Sequence, residues 1–369
     1  MRNLNNEKVN NLRNANIELL RIISMLMVLM MHCLQSSGAL ECGGSYQVVY
    51  RLIKSFCIVA VNIFVIINGY FGPVSNFKLK NVFKIWGIVW FYSITTYVFA
   101  ICMGMQIMST SSLIGAVCAL LTKKYWFVNS YLGLYIISPF LDKFLKRLTK
   151  HQTRTLLCIL IFLFSVRSTV FPSTWCLDSS GGYGIIWFTV LYLIAGAIKL
   201  HYSASVSSGC YMEIYLGNVL IVFIGNYVLE RTVGTLYAQK FYGYNSIFVM
   251  IAAVALFMYM LKLEPMNKPI CYFVNIIAKS AFSVYIIHYS VNDILWTQLL
   301  GLQEITLNSI KGIMSVVIAV IVVYFICTMI DFVRRIVIYR LIELQVVSRY
   351  ILKINKTIEK TQNKIYNFE

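Results

Sequence analysis

Long apolar segments alternate with short polar loops along almost the whole chain. A transmembrane helix needs about 20 mostly apolar residues to cross a hydrocarbon core of about 30 Å. Ten segments meet this requirement: 17–36, 50–72, 82–104, 112–141, 155–172, 184–199, 211–229, 245–262, 270–290 and 309–331. The pattern therefore predicts an all-α, polytopic integral membrane protein with about ten transmembrane helices.

Two regions refine this prediction. Lys123 and Lys124 interrupt the fourth segment, so we expect the crossing itself at 125–141 and a short helix or re-entrant piece at 112–121. Residues 333–369 mix Lys and Arg with apolar residues, a pattern typical of an amphipathic helix on a membrane surface. This predicts a membrane domain over residues 1–332 and a basic cytoplasmic tail.

The basic residues indicate the orientation of the chain. With the N-terminus in the cytoplasm, 22 Lys and Arg fall in cytoplasmic segments and 4 in outer segments. Cytoplasmic loops of membrane proteins carry such an excess, so both termini are predicted to be cytoplasmic. The net charge of +18 is spread over these loops, which indicates a lipid bilayer and not nucleic acid as the partner.

Composition excludes several other classes. Hydrophobic residues make up 59% of the chain and charged residues 12%, which is too little polar surface for a soluble enzyme of this length. The ten cysteines are scattered without a CxxC pair or a histidine at metal-ligand spacing. The chain also lacks a Gly-rich phosphate loop and a dinucleotide-binding fingerprint. We expect no metal cofactor.

An ionisable side chain inside a membrane is costly and is a functional candidate. Arg21 and His32 lie eleven residues apart in the first span. At 100° and 1.5 Å per residue they share one helix face and are separated by about 16 Å along the axis. The alternatives are that Arg21 extends to the inner interface and that His32 is a packing histidine. His288, in the ninth span, is the other histidine predicted to lie in the membrane.

The arrangement of Arg21, ten residues and His32 resembles the signature of the membrane acyltransferase-3 family. Three later segments are similar to family segments in the same order: NIFVIINGYFG at 62–72, YWFVNSYLGLYIISP at 125–139 and SAFSVYIIH at 280–288. One departure is Asn68, which stands where the family commonly has Ser. Members have about ten helices and transfer acyl groups, usually acetyl, to cell-surface carbohydrates.

The resemblance implies a mechanism that uses acetyl-CoA as co-substrate. Arg21 would hold the phosphates of the nucleotide, and His32 would remove a proton from a sugar hydroxyl that attacks the thioester. His288, Tyr285 or Asn68 would orient groups or donate to the oxyanion. An acetyl-histidine intermediate is an alternative route. The acceptor would be an exopolysaccharide or its lipid-linked precursor in the cytoplasmic membrane of a bacterium.

Further candidates for substrate binding come from the same segments. These are Asn68, Gly69, Tyr70, Trp126, Tyr131 and Tyr285. The alternatives are purely structural roles: an interfacial anchor for Trp126, helix packing for Tyr131 and close approach of two helices for Gly69. The rival function is a secondary transporter or flippase for a lipid-linked or small polar substrate, and a third possibility is a membrane receptor or assembly subunit without catalysis. Against the transporter, the sequence shows neither an internal repeat nor an Asp or Glu relay inside the spans.

Overall fold

The computed structural model describes residues 14–75, 77–120, 122, 125–177, 180–201, 206–290, 296, 301, 307–343 and 345–366. The described residues form helices joined by turns and loops, and none of them lies in a β-strand. The predicted all-α class is therefore confirmed. Lys123 and Lys124, which divide the fourth apolar segment, lie outside the described residues.

Fourteen helices are used in the description below. They are α1 (Ala15–Ser36), α2 (Gly44–Cys57), α3 (Ala60–Phe71), α4 (Leu79–Cys102), α5 (Thr110–Val117), α6 (Trp126–Arg147), α7 (Lys150–Val170), α8 (Ile185–His201), α9 (Ser208–Thr232), α10 (Ile247–Lys262), α11 (Lys268–Ala278), α12 (Ala281–Ser290), α13 (Ile310–Glu343) and α14 (Gln345–Tyr366).

Within the described residues, eight helical segments are long and apolar enough to cross a membrane. They are α1, α2 with α3, α4, α7, α9, α10 with the turn before it, α11 with α12, and α13. The other two predicted crossings coincide with α6, which ends in a charged turn, and with the 17-residue α8. The chain is a multi-pass membrane protein. The count of ten and the orientation of the termini stay predictions.

The centre of the bundle consists of α3, α8 and α10, whose side chains are mostly buried. Close packing of α3 on α8 depends on Gly69, because a Cβ atom there would lie 2.6 Å from the backbone oxygen of Tyr192. Small residues of this kind let helix backbones approach each other in membrane proteins. Helix α1 packs against α3 and α10, so its polar face is held beside this core.

A buried carboxylate connects three helices at one end of the bundle. Asp331 in α13 accepts a 2.9 Å hydrogen bond from the Tyr92 hydroxyl of α4. It also pairs with Arg334 at 2.8 Å and with Arg335 at 3.2 Å. Arg335 in turn donates to Ser280, which lies at the break between α11 and α12. The cluster fixes this break against α4 and α13.

The C-terminal helix α14 docks beside the start of α4. The side-chain amide of Gln362 donates to the backbone oxygen of Phe77 at 3.0 Å and accepts from the backbone nitrogen of Leu79 at 2.9 Å. The ring of Tyr366 lies 4.6 Å from that of Phe77, and its hydroxyl reaches the backbone oxygen of Ile136 in α6. Whether α14 lies on the inner leaflet stays a prediction.

Candidate functional site

An elongated cavity of about 1120 Å³ follows α1 through the bundle. Arg21 lines one end, Met25 and Val28 line the middle, and His32 and Gln35 line the far part. At 1.5 Å per residue, the lined face of α1 extends for about 21 Å. The predicted face of α1 that holds Arg21 and His32 is therefore the face that borders the cavity.

One end of the cavity, which we call the Arg21 end, gathers polar and cationic side chains from several helices. They are Arg21, Asn68, Asn81, Lys84, Tyr135 and Lys279. The Arg21 guanidinium lies 3.8 Å from the carboxylate of buried Glu18, which helps to fix its position. The side-chain nitrogen of Asn68 is buried and has no hydrogen-bond partner among the described residues.

The Arg21 end is suited to an anionic group. Its three cations are Arg21, Lys84 and Lys279, and no acidic side chain lines this end in the part of the chain that the structure describes. The Tyr135 hydroxyl accepts a 3.0 Å hydrogen bond from Asn81 and thereby holds α4 to α6 there. Guanidinium and ammonium groups together form strong, charge-assisted hydrogen bonds to phosphate oxygens.

His32 lines the cavity three helical turns from Arg21 and faces two neighbours from α12. Its ring centroid lies 5.2 Å from that of His288 and 5.6 Å from that of Tyr289, both in edge-to-face arrangements. His32 is partly exposed and lines the cavity, whereas His288 is fully buried and does not line it. A bound molecule can therefore touch His32 directly, whereas His288 contacts the cavity-lining ring of His32 and not the cavity itself.

The hydrogen bonds of His288 define which of its nitrogens carries the proton. Its Nδ1 lies 2.9 Å from the backbone oxygen of Val284. A carbonyl oxygen only accepts, so Nδ1 donates, and Nε2 of the neutral ring keeps its lone pair. That Nε2 and the hydroxyl of Tyr285 are both buried without a hydrogen-bond partner among the described residues. Unsatisfied buried polar atoms are rare and often mark a functional site.

The part of the cavity beyond His32, which we call the outer chamber, has an aromatic wall. Trp126, Tyr183 and Tyr244 form this aromatic cluster, with ring centroids 4.5, 4.9 and 5.8 Å apart. Each of the three lines the cavity. Rings in this arrangement offer flat apolar faces with hydroxyl groups at the edge, which suits a ligand with both C–H and O–H groups.

Two loops pack against each other and position the aromatic cluster. The backbone nitrogen of Tyr244 donates to the backbone oxygen of Gly181 at 2.9 Å. Gly182 has φ +88°, and a Cβ atom there would lie 2.7 Å from the backbone nitrogen of Asn245. Only glycine combines this conformation with such a close approach. Below them, the amide of buried Asn62 donates to the backbone oxygen of Tyr244.

The structure brings together most of the residues that the sequence singled out. Those that line the cavity are Arg21, His32, Asn68, Trp126, Tyr131 and Tyr285. His288 contacts His32 without lining it. Gly69 and Tyr70 lie outside the cavity: Gly69 packs on α8, and the ring of Tyr70 packs on Phe257 with Lys199 above it.

Several lining residues were not found from the sequence. They are Lys54, Asn81, Tyr183, Lys240, Tyr244, Lys279 and Tyr289. Tyr289 directly follows His288 in the sequence, so helical spacing could have predicted that its ring also contacts His32. The loop residues carry no local signal, because their approach to α1 depends on how distant segments pack. Among the described residues, no group of three or more His, Cys, Asp or Glu is arranged to hold a metal ion.

The acyltransferase-3 family model, described as an acyltransferase domain, matches residues 14–332. No curated protein and no solved structure matches the chain. The matched segment begins just before α1 and ends within α13, so it contains every residue that lines the cavity.

Proposed function

The chain belongs to the membrane acyltransferase-3 family, as its motifs predicted. On that premise we propose that it transfers an acetyl group from acetyl-CoA to a hydroxyl of a cell-surface or lipid-linked carbohydrate. Acyl transfer itself follows from the family domain. One observation carries the donor and acceptor assignments: a single cavity joins the cationic Arg21 end, the His32 imidazole and an aromatic chamber.

The Arg21 end is proposed to bind the phosphates of the donor. Coenzyme A has its phosphates at one end and its thiol at the other, with the extended pantetheine arm between them. Arg21 and His32 are about 16 Å apart along α1, a separation that this arm can span. With its phosphates at Arg21, Lys84 and Lys279, the donor would present its thioester at His32.

His32 is proposed to act as the general base. Its neutral imidazole takes the proton of an acceptor hydroxyl as the oxygen attacks the thioester carbonyl. Collapse of the tetrahedral intermediate breaks the C–S bond, and the imidazolium returns the proton to the leaving thiolate. The hydroxyl of Tyr285, which has no hydrogen-bond partner among the described residues, is the proposed donor to the oxyanion. An acetyl-histidine intermediate also requires His32 and would split the same transfer into two steps.

His288 is proposed to position His32 and not to touch substrate. Its Nε2 lone pair is available to accept a proton from a ring N–H of His32, because Nδ1 already donates to Val284. Such a hydrogen bond would hold one tautomer of His32 and leave the other nitrogen of His32 as the base. The edge-to-face contact at 5.2 Å supports this pairing.

The outer chamber is proposed to bind the acceptor. Aromatic faces pack against the C–H faces of sugar rings, while tyrosine hydroxyls bond to sugar hydroxyls at the ring edge. The aromatic cluster of Trp126, Tyr183 and Tyr244 offers both. We propose an exopolysaccharide or its lipid-linked precursor as the acceptor and the cytoplasmic membrane of a bacterium as the location.

The test is acetyl transfer by purified protein in liposomes. Radiolabelled acetyl-CoA is supplied with a membrane glycan extract, and label in glycan is counted. We expect His32→Ala to lower transfer by roughly 10²- to 10⁴-fold, the usual contribution of a general base. His151→Ala is the matched control. His151 is exposed at the start of α7, whereas the part of α7 that lines the cavity lies near the end of the helix.

Two results would reject the proposal. Normal labelling by a well-folded His32→Ala variant would remove His32 from the chemistry. Movement of a lipid-linked or small polar substrate across the liposome membrane, without consumption of acetyl-CoA, would favour the transporter or flippase instead.

A further inference from the structure

Two lysines line the outer chamber in addition to its aromatic cluster. Lys54, in α2, holds its ammonium 4.5 Å from the centre of the Tyr242 ring. Tyr242 is itself fixed, because its hydroxyl donates to the backbone oxygen of Arg51 at 3.1 Å and lies 3.0 Å from the hydroxyl of Ser55. The position of the Lys54 ammonium is thus set by packing and a cation–π contact.

Lys240 also lines the chamber and lies on the turn Gln239–Tyr242. Its ammonium donates to the backbone oxygen of Phe171 and lies 5.5 Å from the centre of the Tyr237 ring. Within the part of the chain that the structure describes, neither Lys54 nor Lys240 has a carboxylate within ion-pair distance. Both positive charges are held by neutral groups.

The other charges nearby do not cancel these two. Arg51 and Glu230 form a bidentate pair with each other and neutralise one another. Glu41 lines the chamber, but its side chain is exposed, so water screens its attraction for Lys54. Among the residues that the structure describes, the chamber therefore presents two ammonium groups and one exposed carboxylate.

We infer that the outer chamber selects an acceptor that is anionic: a carbohydrate that carries a carboxylate or a phosphate close to the hydroxyl that is acetylated. This inference rests on the proposed function and adds the chemical class of the acceptor. A bound anion would give both ammonium groups the charged partner that the described residues do not supply, and charge-assisted hydrogen bonds are about twice as strong as neutral ones. The aromatic cluster would hold the sugar ring beside it.

Two sources share this chemistry, namely the carboxylate of a uronic acid and the phosphodiester of a polyol-phosphate polymer. The experiment therefore measures binding of three labelled oligomers of equal length to the purified protein in nanodiscs. They are an oligouronide, the same oligouronide with its carboxyl groups reduced to alcohols, and an oligomer of glycerol phosphate. The reduced oligouronide has the same sugar backbone and differs in charge alone.

We expect at least one anionic oligomer to bind about tenfold or more tightly than the reduced oligouronide at low salt. The preference should shrink as salt is added, because counterions screen the contact. The double variant with Lys54→Gln and Lys240→Gln should bind the anionic oligomer and the reduced oligouronide with equal affinity. Lys54→Arg should keep the preference for the anionic oligomer. Lys356→Ala, which removes an exposed lysine of α14, is the matched control and should change nothing. The tighter anionic oligomer identifies the source of the charge.

Equal binding of the three oligomers would overturn the inference, and so would a preference that survives removal of both lysines in folded protein. The proposed function is tested separately in the same samples, by His32-dependent cleavage of acetyl-CoA in the presence of the membrane glycan extract. Thioester cleavage with no preference for charge overturns the inference and leaves the function standing. Anionic preference without cleavage supports the anion site and rejects the function.

Discussion

At the scale of single residues, α1 supplies both a guanidinium and an imidazole to one cavity. Arg21 and His32 are separated by three helical turns, so a ligand that touches both must be extended along α1. On the proposed function, the two side chains have different roles: Arg21 contributes to donor affinity and His32 to the chemical step. The two roles predict different kinetic consequences when each side chain is removed.

For Arg21 the prediction concerns the phosphates of the donor. Arg21→Ala should raise KM for acetyl-CoA roughly 10- to 100-fold with little change in kcat, since a charge-assisted hydrogen bond contributes about 1.5–3 kcal/mol. Acetyl-pantetheine lacks the nucleotide and its phosphates, so its turnover by the variant should match that by the wild type. The measurement is the ratio of kcat/KM for the two donors in each protein.

The same ratio exposes an error in the assignment. If Arg21→Ala lowered turnover of acetyl-CoA and acetyl-pantetheine equally, Arg21 would be supporting the thioester or the fold and not the phosphates. Arg21→Lys keeps the charge but loses the planar fork, and it should fall between the wild type and the alanine variant.

Part of the site was predictable from the sequence because an ionisable side chain inside a membrane is costly in free energy and therefore marks a functional candidate. That rule pointed to Arg21 and His32, and motif similarity added Asn68, Trp126 and Tyr285, all of which line the cavity. The same reasoning did not find Lys54 or Lys240, because lysines near span ends are common and carry no signal by themselves. Their approach to one chamber depends on tertiary packing that no local pattern encodes.

At the scale of helices, the contact of α3 with α8 determines how closely the core packs. Gly69 lies in van der Waals contact with the backbone of α8, where a flexible side chain cannot move aside. Gly69→Ala should therefore destabilise the protein by about 1–3 kcal/mol, the usual cost of overpacking. The measurement is the thermal unfolding midpoint of the purified protein in detergent, which should fall.

Gly217→Ala is the matched control for this prediction. Gly217 lies in the membrane helix α9, and a Cβ atom there has no neighbour within 4 Å. Its midpoint should stay unchanged or rise slightly, because alanine favours a helix more than glycine does. An equal midpoint for Gly69→Ala and the wild type would mean that the two helices are not in tight contact.

Apolar run length predicted which segments are helical better than it predicted where they end. Helix α13 was expected to stop at residue 331 but continues to Glu343. The reason is that Arg334 and Arg335 fold back one turn onto buried Asp331, and an apolar window counts such residues only as charges. Likewise α2 begins at Gly44, ahead of the apolar run predicted from residue 50, because its first turns are amphipathic.

At the scale of the whole molecule, the cavity follows one face of α1 from a cationic end to an aromatic chamber. The distribution of Lys and Arg predicts that the Arg21 end faces the cytoplasm and that the outer chamber faces the opposite side. The predicted topology thus places the donor's phosphates and the acceptor on different sides of the membrane.

This topology has a direct consequence for reporter fusions in a bacterial host. Green fluorescent protein matures in the cytoplasm, so fusions to either terminus should fluoresce. Alkaline phosphatase is active only outside the cytoplasm, and a fusion after residue 104, beyond the third predicted span, should be active. A dark C-terminal fusion beside a fluorescent N-terminal one would mean an odd number of crossings.

The central claim is that the acetyl group passes from a donor on one side of the membrane to an acceptor on the other through this cavity. The most direct measurement uses proteoliposomes with radiolabelled acetyl-CoA sealed inside and oligosaccharide acceptor only outside. We predict labelled acceptor in the outer solution with the wild type and roughly 10²- to 10⁴-fold less label with His32→Ala. Labelling that occurs only when donor and acceptor share one compartment would contradict the account.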